Sequence, residues 1–173
     1  FIFFYPNNVF IYYNIFKFTT KLIFEKFLSS NSKKLHEILT DFNNYEKFFP
    51  FIKESKILNK KENSVLTEEI FFISGKNFQF KQKSTHEIGS NYIETVTCSG
   101  PLKGTKLKFV FESENSGTLV VIHIELKLCF KYLLFSRLIK NKYKLYLEHT
   151  LHYLNELSEL TSEKSWNESI SDH

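Results

Sequence analysis

From residue 18 onward the hydrophobic positions recur first as a strand would place them, then as a helix would, then as strands again. Phe18 to Leu28 is apolar and β-rich and predicts a first strand. Ser29-Ser30-Asn31-Ser32 offers several N-caps for a helix reaching about Thr40, in which Leu35, Ile38, Leu39 and Phe42 form one stripe. Asn43-Asn44 interrupts it, Tyr45 to Phe49 predicts a second short helix, and Pro50 stops that one. Six strands follow: Phe51–Asn59, Val65–Ile73, Phe78–Ile88, Tyr92–Cys98, Thr105–Glu112 and Thr118–Leu128. The turns between them fall at Lys60–Ser64, Ser74–Asn77, Gly89–Asn91, Ser99–Pro101 and Ser113–Gly117. A stretch without Gly or Pro, from about Tyr132 to Leu157, predicts a long final helix.

Alternation assigns faces in three of these strands. Phe78, Phe80 and Ile88 share one face, while Gln79, Lys81, Lys83 and Glu87 share the other. Leu107, Phe109 and Phe111 oppose Lys106, Lys108 and Glu112. Val120, Ile122, Ile124, Leu126 and Leu128 oppose His123, Glu125 and Lys127. One wet face and one apolar face per strand is the mark of an antiparallel sheet covered on a single side. The cover is the final helix, where Ile139, Tyr143, Leu147, Thr150, Leu151, Leu154 and Leu157 form a stripe. The class is therefore α+β.

Composition narrows the picture less than spacing does. The 173 residues suit one domain with a sizeable core. Twenty phenylalanines, no alanine and no methionine, with Arg137 the single arginine among 23 basic residues, read as the codon usage of an AT-rich genome. The net charge of +4 comes without a basic block dense enough for specific DNA binding. Two cysteines, Cys98 and Cys129, are too few for a disulfide framework and place the chain in a reducing compartment, the cytoplasm. Residues 1–17 form an apolar extension broken by Pro6, Asn7, Asn8 and Asn14, shorter than the ~18 residues of a spanning helix and without a basic leader region. Residues 158–173 are Ser/Glu-rich and predict a solvated, disordered tail, leaving 18–157 as the domain.

Two local motifs carry a resemblance. Leu39-Thr40-Asp41-Phe42-Asn43-Asn44-Tyr45-Glu46-Lys47-Phe48-Phe49-Pro50, joining the two short helices, resembles the signature of the polyketide cyclase/lipid-transport branch of the START-like, or SRPBCC, superfamily. Gly100-Pro101-Leu102-Lys103-Gly104 resembles a late-strand turn of the same branch, which includes coenzyme Q-binding START proteins and ribosome-association toxins. Coenzyme Q-binding members often carry a tryptophan just after that turn; here Leu107 and Phe109 stand there. The resemblance covers the whole domain. It implies the helix-grip fold, a curved antiparallel seven-stranded sheet wrapped around a long C-terminal helix with two short helices after the first strand. It also implies a cavity between sheet and helix for a lipid or isoprenoid quinone.

The expected lining is Phe80, Phe109, Phe111, Ile122, Ile124 and Leu126 from the sheet, with Tyr143, Leu147 and Leu151 from the helix. Those same phenylalanines can instead fill the space themselves. Gln82, Ser84 and His86 fall on the apolar face of their strand, where polar groups must be paired or wet. Two readings stand: a handle orienting a ligand's polar end, or a satisfied core network. A strand bulge would turn all three outward.

Catalysis finds little support. No nucleophile elbow, phosphate loop or dinucleotide glycine fingerprint is present. His149 and His152 lack a third partner for a metal, the cysteines read as small apolar residues, and Asp41 reads as a helix-terminal hydrogen-bonder. No cofactor is called for. Lys131, Arg137, Lys140 and Lys144 flank the final helix and suit a membrane surface, a ribosomal contact or merely a wet helix face. The expected function is carriage of a hydrophobic small molecule. Its rivals are a cyclase or dehydratase using His86 as acid/base, and a ribosome-associated interaction protein.

Overall fold

The computed structural model describes residues 18–49, 51–72, 79–128, 141 and 145–156. Strand β1 (Phe18–Leu28) leads into helix α1 (Ser32–Thr40). Of the candidate caps, Asn31 serves: its extended backbone lets the side chain accept from the Lys33 amide at 2.7 Å. Helix α1 buries Leu35 and Leu39 and is tied to the sheet by His36 Nε2, which donates to the Gly89 carbonyl at 2.9 Å. Asp41 ends it, accepting at both carboxylate oxygens from Asn44 Nδ2 at 3.0 and 2.9 Å, so its expected helix-terminal role holds. One 3₁₀ turn (Phe42–Asn44) then runs into helix α2 (Tyr45–Phe48).

The remaining strands are β2 (Ile52–Lys61), β3 (Ser64–Phe72), β4 (Gln79–Ile88), β5 (Tyr92–Thr97), β6 (Lys106–Glu114) and β7 (Gly117–Leu128). All pair antiparallel in the order β1-β7-β6-β5-β4-β3-β2, so a six-strand meander receives the first strand beside the last. Two hairpins are tighter than the polar spacing predicts. Lys61 pairs with Ser64 and Glu114 with Gly117, which leaves two-residue turns. The flanking polar residues extend the ladder through their backbones while their side chains stay wet. Gly100 and Gly104 adopt φ of 85° and 87°, the left-handed region that the turn into β6 requires. On the outer face Glu68 meets Lys81 at 2.9 Å and Lys56 at 3.2 Å, bracing β2, β3 and β4 beside two register shifts in β2. Those ammonium groups, Lys81 foremost, hold the Glu68 carboxyl below the usual carboxylate range.

The faces assigned by alternation hold in β6 and β7. Phe109, Phe111, Val120, Ile122, Ile124, Leu126 and Leu128 are all buried. Helix α3 (residues 145–156) covers them, burying Leu147, Thr150, Leu151 and Leu154. Each such leucine contributes about 1.5–3 kcal/mol by leaving water. Tyr146 packs on Phe51 with ring centroids 4.8 Å apart, and Asn155 Oδ1 accepts from the Ser29 amide at 3.1 Å. The helix therefore crosses the concave face from the start of β2 to the end of β1. This is the helix-grip arrangement, α+β in class. Of the helix expected over Tyr132–Leu157, the turns carrying Ile139, Tyr143 and Leu157 lie outside the described residues, as do 1–17 and 158–173.

Candidate ligand-binding site

Strand β4 pairs with β3 without a break from Gln79 to Glu87, so no bulge shifts its phase. Gln82, Ser84 and His86 accordingly face inward and are 6%, 1% and 2% exposed. The same register puts Glu69 beside Gln82, Thr67 beside Ser84 and Val65 beside His86. Thr67 and Glu69 are buried as completely as their neighbours. A carboxylate in a dry interior is stable only with partners, and Glu69 has several.

Ser84 Oγ donates to Glu69 Oε2 at 2.9 Å, and the Thr67 hydroxyl donates to Glu69 Oε1. His86 Nε2 lies 2.8 Å from Thr67 Oγ1 and 3.4 Å from Glu69 Oε1. A hydroxyl carries one proton. With that of Thr67 committed to Glu69, Thr67 Oγ1 accepts from His86, which assigns the proton to Nε2. The other ring nitrogen, Nδ1, meets Thr95 Oγ1 at 2.9 Å. Both nitrogens of His86 are thus engaged within the protein.

The motif between the short helices forms the lid of this cluster. Phe42 lies against the His86 ring with centroids 4.3 Å apart, and Tyr45 meets the same ring edge-on at 6.3 Å. The Tyr45 hydroxyl donates to the Leu39 carbonyl at 2.6 Å. Burial, followed by the negative charges of Glu69 and Asp41, pushes its pKa well above the usual tyrosine value. An aromatic run continues from Tyr45 through Phe49 and Phe51 to Phe71, which stacks on Phe80 at 5.3 Å with ring planes 9° apart.

Among the described residues three buried polar atoms have no hydrogen-bond partner: Ser55 Oγ, Gln82 Oε1 and Thr150 Oγ1. Ser55 pairs with Glu69 and Glu69 with Gln82, so two of the three sit in one cross-strand row with the carboxylate between them. The amide orientation of Gln82 follows from its neighbour. Ser84 has given its proton to Glu69, so only the Nε2 of Gln82 can face Ser84 Oγ, at 3.4 Å, leaving Oε1 open.

Of the expected lining, Phe109, Phe111, Ile122, Ile124, Leu126, Leu147 and Leu151 are buried, and Phe80 is half-buried. Tyr143 lies outside the described residues, as do Lys131, Arg137, Lys140, Lys144 and Cys129. Cys98 is exposed, 3.2 Å from Thr85 Oγ1, and is not the apolar filler its residue type suggests. Among the described residues no three His, Cys, Asp or Glu side chains could share a metal; His152 instead meets Glu156 at 3.3 Å. No described helix is long and apolar enough to cross a membrane. Sequence reasoning missed Glu69, Thr67 and Ser55. The signal that finds them is the β3–β4 register, which aligns two polar residues of β3 with the inward polar set of β4.

A curved antiparallel sheet closed by one helix, with a paired polar cluster inside it, defines a helix-grip protein of the START-like superfamily. Within it the chain belongs to the polyketide cyclase/dehydrase and lipid transport family, which matches residues 33–151. No curated protein matches the sequence. The fold is similar to the di-domain aromatase/cyclase StfQ of the steffimycin biosynthetic pathway, with TM-score 0.74, 8% identity and 84% of this chain covered. The chain spans about half of StfQ, 52% of its length. It is also similar to the Zhui aromatase/cyclase of a Streptomyces species, with TM-score 0.72, 11% identity, and 82% and 94% of the two chains covered. A START superfamily protein from Mycobacterium smegmatis matches with TM-score 0.67 and 15% identity over 83% and 98% of the two chains. At these identities the likeness is one of fold.

Proposed function

We propose that the protein binds and carries a hydrophobic small molecule of the lipid or isoprenoid-quinone class between the concave sheet and the C-terminal helix. The observation that carries this reading is the trio of buried, unpartnered polar atoms among the described residues, Ser55 Oγ, Gln82 Oε1 and Thr150 Oγ1, in a largely apolar interior. An orphaned buried polar group costs about 1–3 kcal/mol, which a ligand's polar end recovers. Geometry supports it too. Seven strands span about 29 Å, and one helix about 10 Å wide covers part of that width. The ligand's apolar body lies against Phe109, Phe111, Ile122, Ile124, Leu126, Leu147 and Leu151. With His86 tied to Thr67 and Thr95, the direct polar contact passes to Gln82.

The test is native mass spectrometry of the full chain after incubation with a total lipid extract and re-isolation. Discrete mass increments, with the bound species recovered by extraction, are the expected result. Protein that emerges empty from every preparation overturns the reading.

One observation favours a second reading, the cyclase or dehydratase type. Glu69 and His86 form a buried acid/base pair of the kind that moves protons in a water-poor site. If His86→Ala abolishes turnover of a polyketide-like substrate while leaving its affinity intact, the protein is an enzyme.

A further inference from the structure

The unpartnered atoms differ in what they accept as a partner. The hydroxyls of Ser55 and Thr150 can donate or accept, whereas Gln82 Oε1 can only accept. Beside Gln82 in the same cross-strand row stands Glu69, also an acceptor, and neighbouring strands put the Ser55–Glu69–Gln82 row within about 10 Å. Among the described residues the interior holds no compensating cation of the ordinary kind. Among the described residues no lysine or arginine is buried, and His86, the one nearby group able to carry positive charge, is committed to Thr67, Thr95 and Glu69.

Thr150 belongs to the same region. It lies one helical turn, about 6 Å, beyond Tyr146, which packs on Phe51. Phe51 stacks on Phe71 and Phe71 on Phe80. Glu69 and Gln82 lie two residues, about 7 Å, further along their strands from those phenylalanines. The helix runs from Phe51 toward Ser29, the sense in which Phe71 to Glu69 and Phe80 to Gln82 also advance, so Thr150 and the Ser55–Glu69–Gln82 row lie to the same side of the Phe51–Phe71–Phe80 stack.

Resting on the carrier reading, we infer that the site selects a ligand whose polar end donates hydrogen bonds and bears no negative charge, an alcohol, phenol or quinol, over its carbonyl or carboxylate counterpart. A quinone carbonyl can accept from Ser55 or Thr150 but leaves Gln82 Oε1 unpaired. A fatty-acid carboxylate meets Glu69 with no buried lysine or arginine among the described residues to offset it. A hydroxyl satisfies Gln82 with its proton and accepts from Ser55 or Thr150 with its oxygen.

Two matched pairs of probes test this, measured by titration calorimetry on the full chain. One is a decyl-substituted hydroquinone, kept reduced under anaerobic conditions, and its quinone. The other is a long-chain alcohol and the carboxylate of the same length. The hydroquinone is expected to bind about tenfold tighter than the quinone, the factor set by one unmade hydrogen bond at a buried acceptor. The alcohol is expected to exceed the carboxylate by about a hundredfold, because an unpaired charge is harder to bury than an unmade neutral hydrogen bond. Gln82→Leu, which replaces an unsatisfied amide with an apolar side chain, should bring hydroquinone affinity down to that of the quinone. Glu69→Gln should raise carboxylate affinity. Equal affinities within either wild-type pair overturn the inference and leave the carrier reading standing. Failure of all four probes to bind removes the carrier reading, and this inference with it.

Discussion

Replacing Glu69 by leucine fills nearly the same space but takes away the acceptor that organises the buried cluster. The hydroxyl proton of Ser84 would then face hydrocarbon, that of Thr67 would fall back on the Ser84 carbonyl at 3.3 Å, and His86 Nε2 would keep only Thr67 Oγ1. Removing one member of a buried acid–imidazole network costs about 3–5 kcal/mol, because the penalty is that of the polar groups left behind. For a chain of this length that lowers Tm by roughly 6–20 °C. His86→Leu is expected to cost a similar amount, with the contact on Phe42 lost as well. The discriminating quantity is the double variant. Once both are gone neither strands the other, though Ser84 still lacks its acceptor, so Glu69→Leu/His86→Leu should be less destabilised than the two singles added, by about 1–3 kcal/mol. Urea unfolding followed by far-UV circular dichroism measures all four proteins, and m should stay constant so that midpoint shifts report stability. Additivity within about 0.5 kcal/mol, or single variants as stable as the wild type, would refute the coupling of Glu69 to His86.

Tyr45 gives a pH prediction whose sign follows from its burial. The folded chain keeps the phenolic proton above the usual value of about 10 while the unfolded chain releases it there. Its contribution is therefore whole below about pH 10 and declines as pH rises through the folded value, by at most about 1.4 kcal/mol per pH unit. Tyr45→Phe, which also loses the bond to Leu39, should be less stable near pH 7 yet lose less stability above pH 10; parallel curves in alkaline denaturation would contradict this. At the turn into β6, alanine is strained at either glycine, but a Cβ at Gly100 would stand 3.0 Å from the Lys81 carbonyl oxygen and 3.1 Å from Gln82 Cβ. A Cβ at Gly104 would meet only the flexible Lys127 side chain, at 3.3 Å. Gly100→Ala should thus lower the thermal midpoint more than Gly104→Ala, and equal losses would show that crowding against β4 plays no part.

Much of this architecture is written locally in the chain. In β7, Ile122 through Leu128 alternate so strictly with His123, Glu125 and Lys127 that the face assignment needs no other strand. Helix α1 is equally legible, since Asn31 and the Leu35/Leu39 stripe are local signals. Strand β3 is different. Leu66, Ile70 and Phe72 lie on its outer face, only half-buried, while Thr67 and Glu69 point inward, so hydrophobicity votes for the wrong phase. What reverses the vote is a set of hydrogen bonds to Ser84 and His86, more than a dozen residues away in sequence. A buried acid is invisible to periodicity because its stability comes from partners on another strand. The inward phase of Gln82, Ser84 and His86 is readable; that Ser84 and His86 share a carboxylate is not. The same limit hid Ser55, whose inward position follows the register shifts of β2.

The placement of β1 has a consequence for how the molecule is made. Its hydrogen-bonding partner is the last strand of the sheet: Phe18 pairs with Leu128, 128 − 18 = 110 residues later. At about 5–20 residues per second of synthesis, the first strand waits about 6–22 s before its neighbour exists. During that interval its backbone is unpaired, and it carries Ile23 and Phe27, which remain 62% and 44% exposed even in the finished sheet. The nascent polypeptide thus presents a sticky, unzipped edge until its C-terminal half emerges, and the sheet closes only when β7 reaches it.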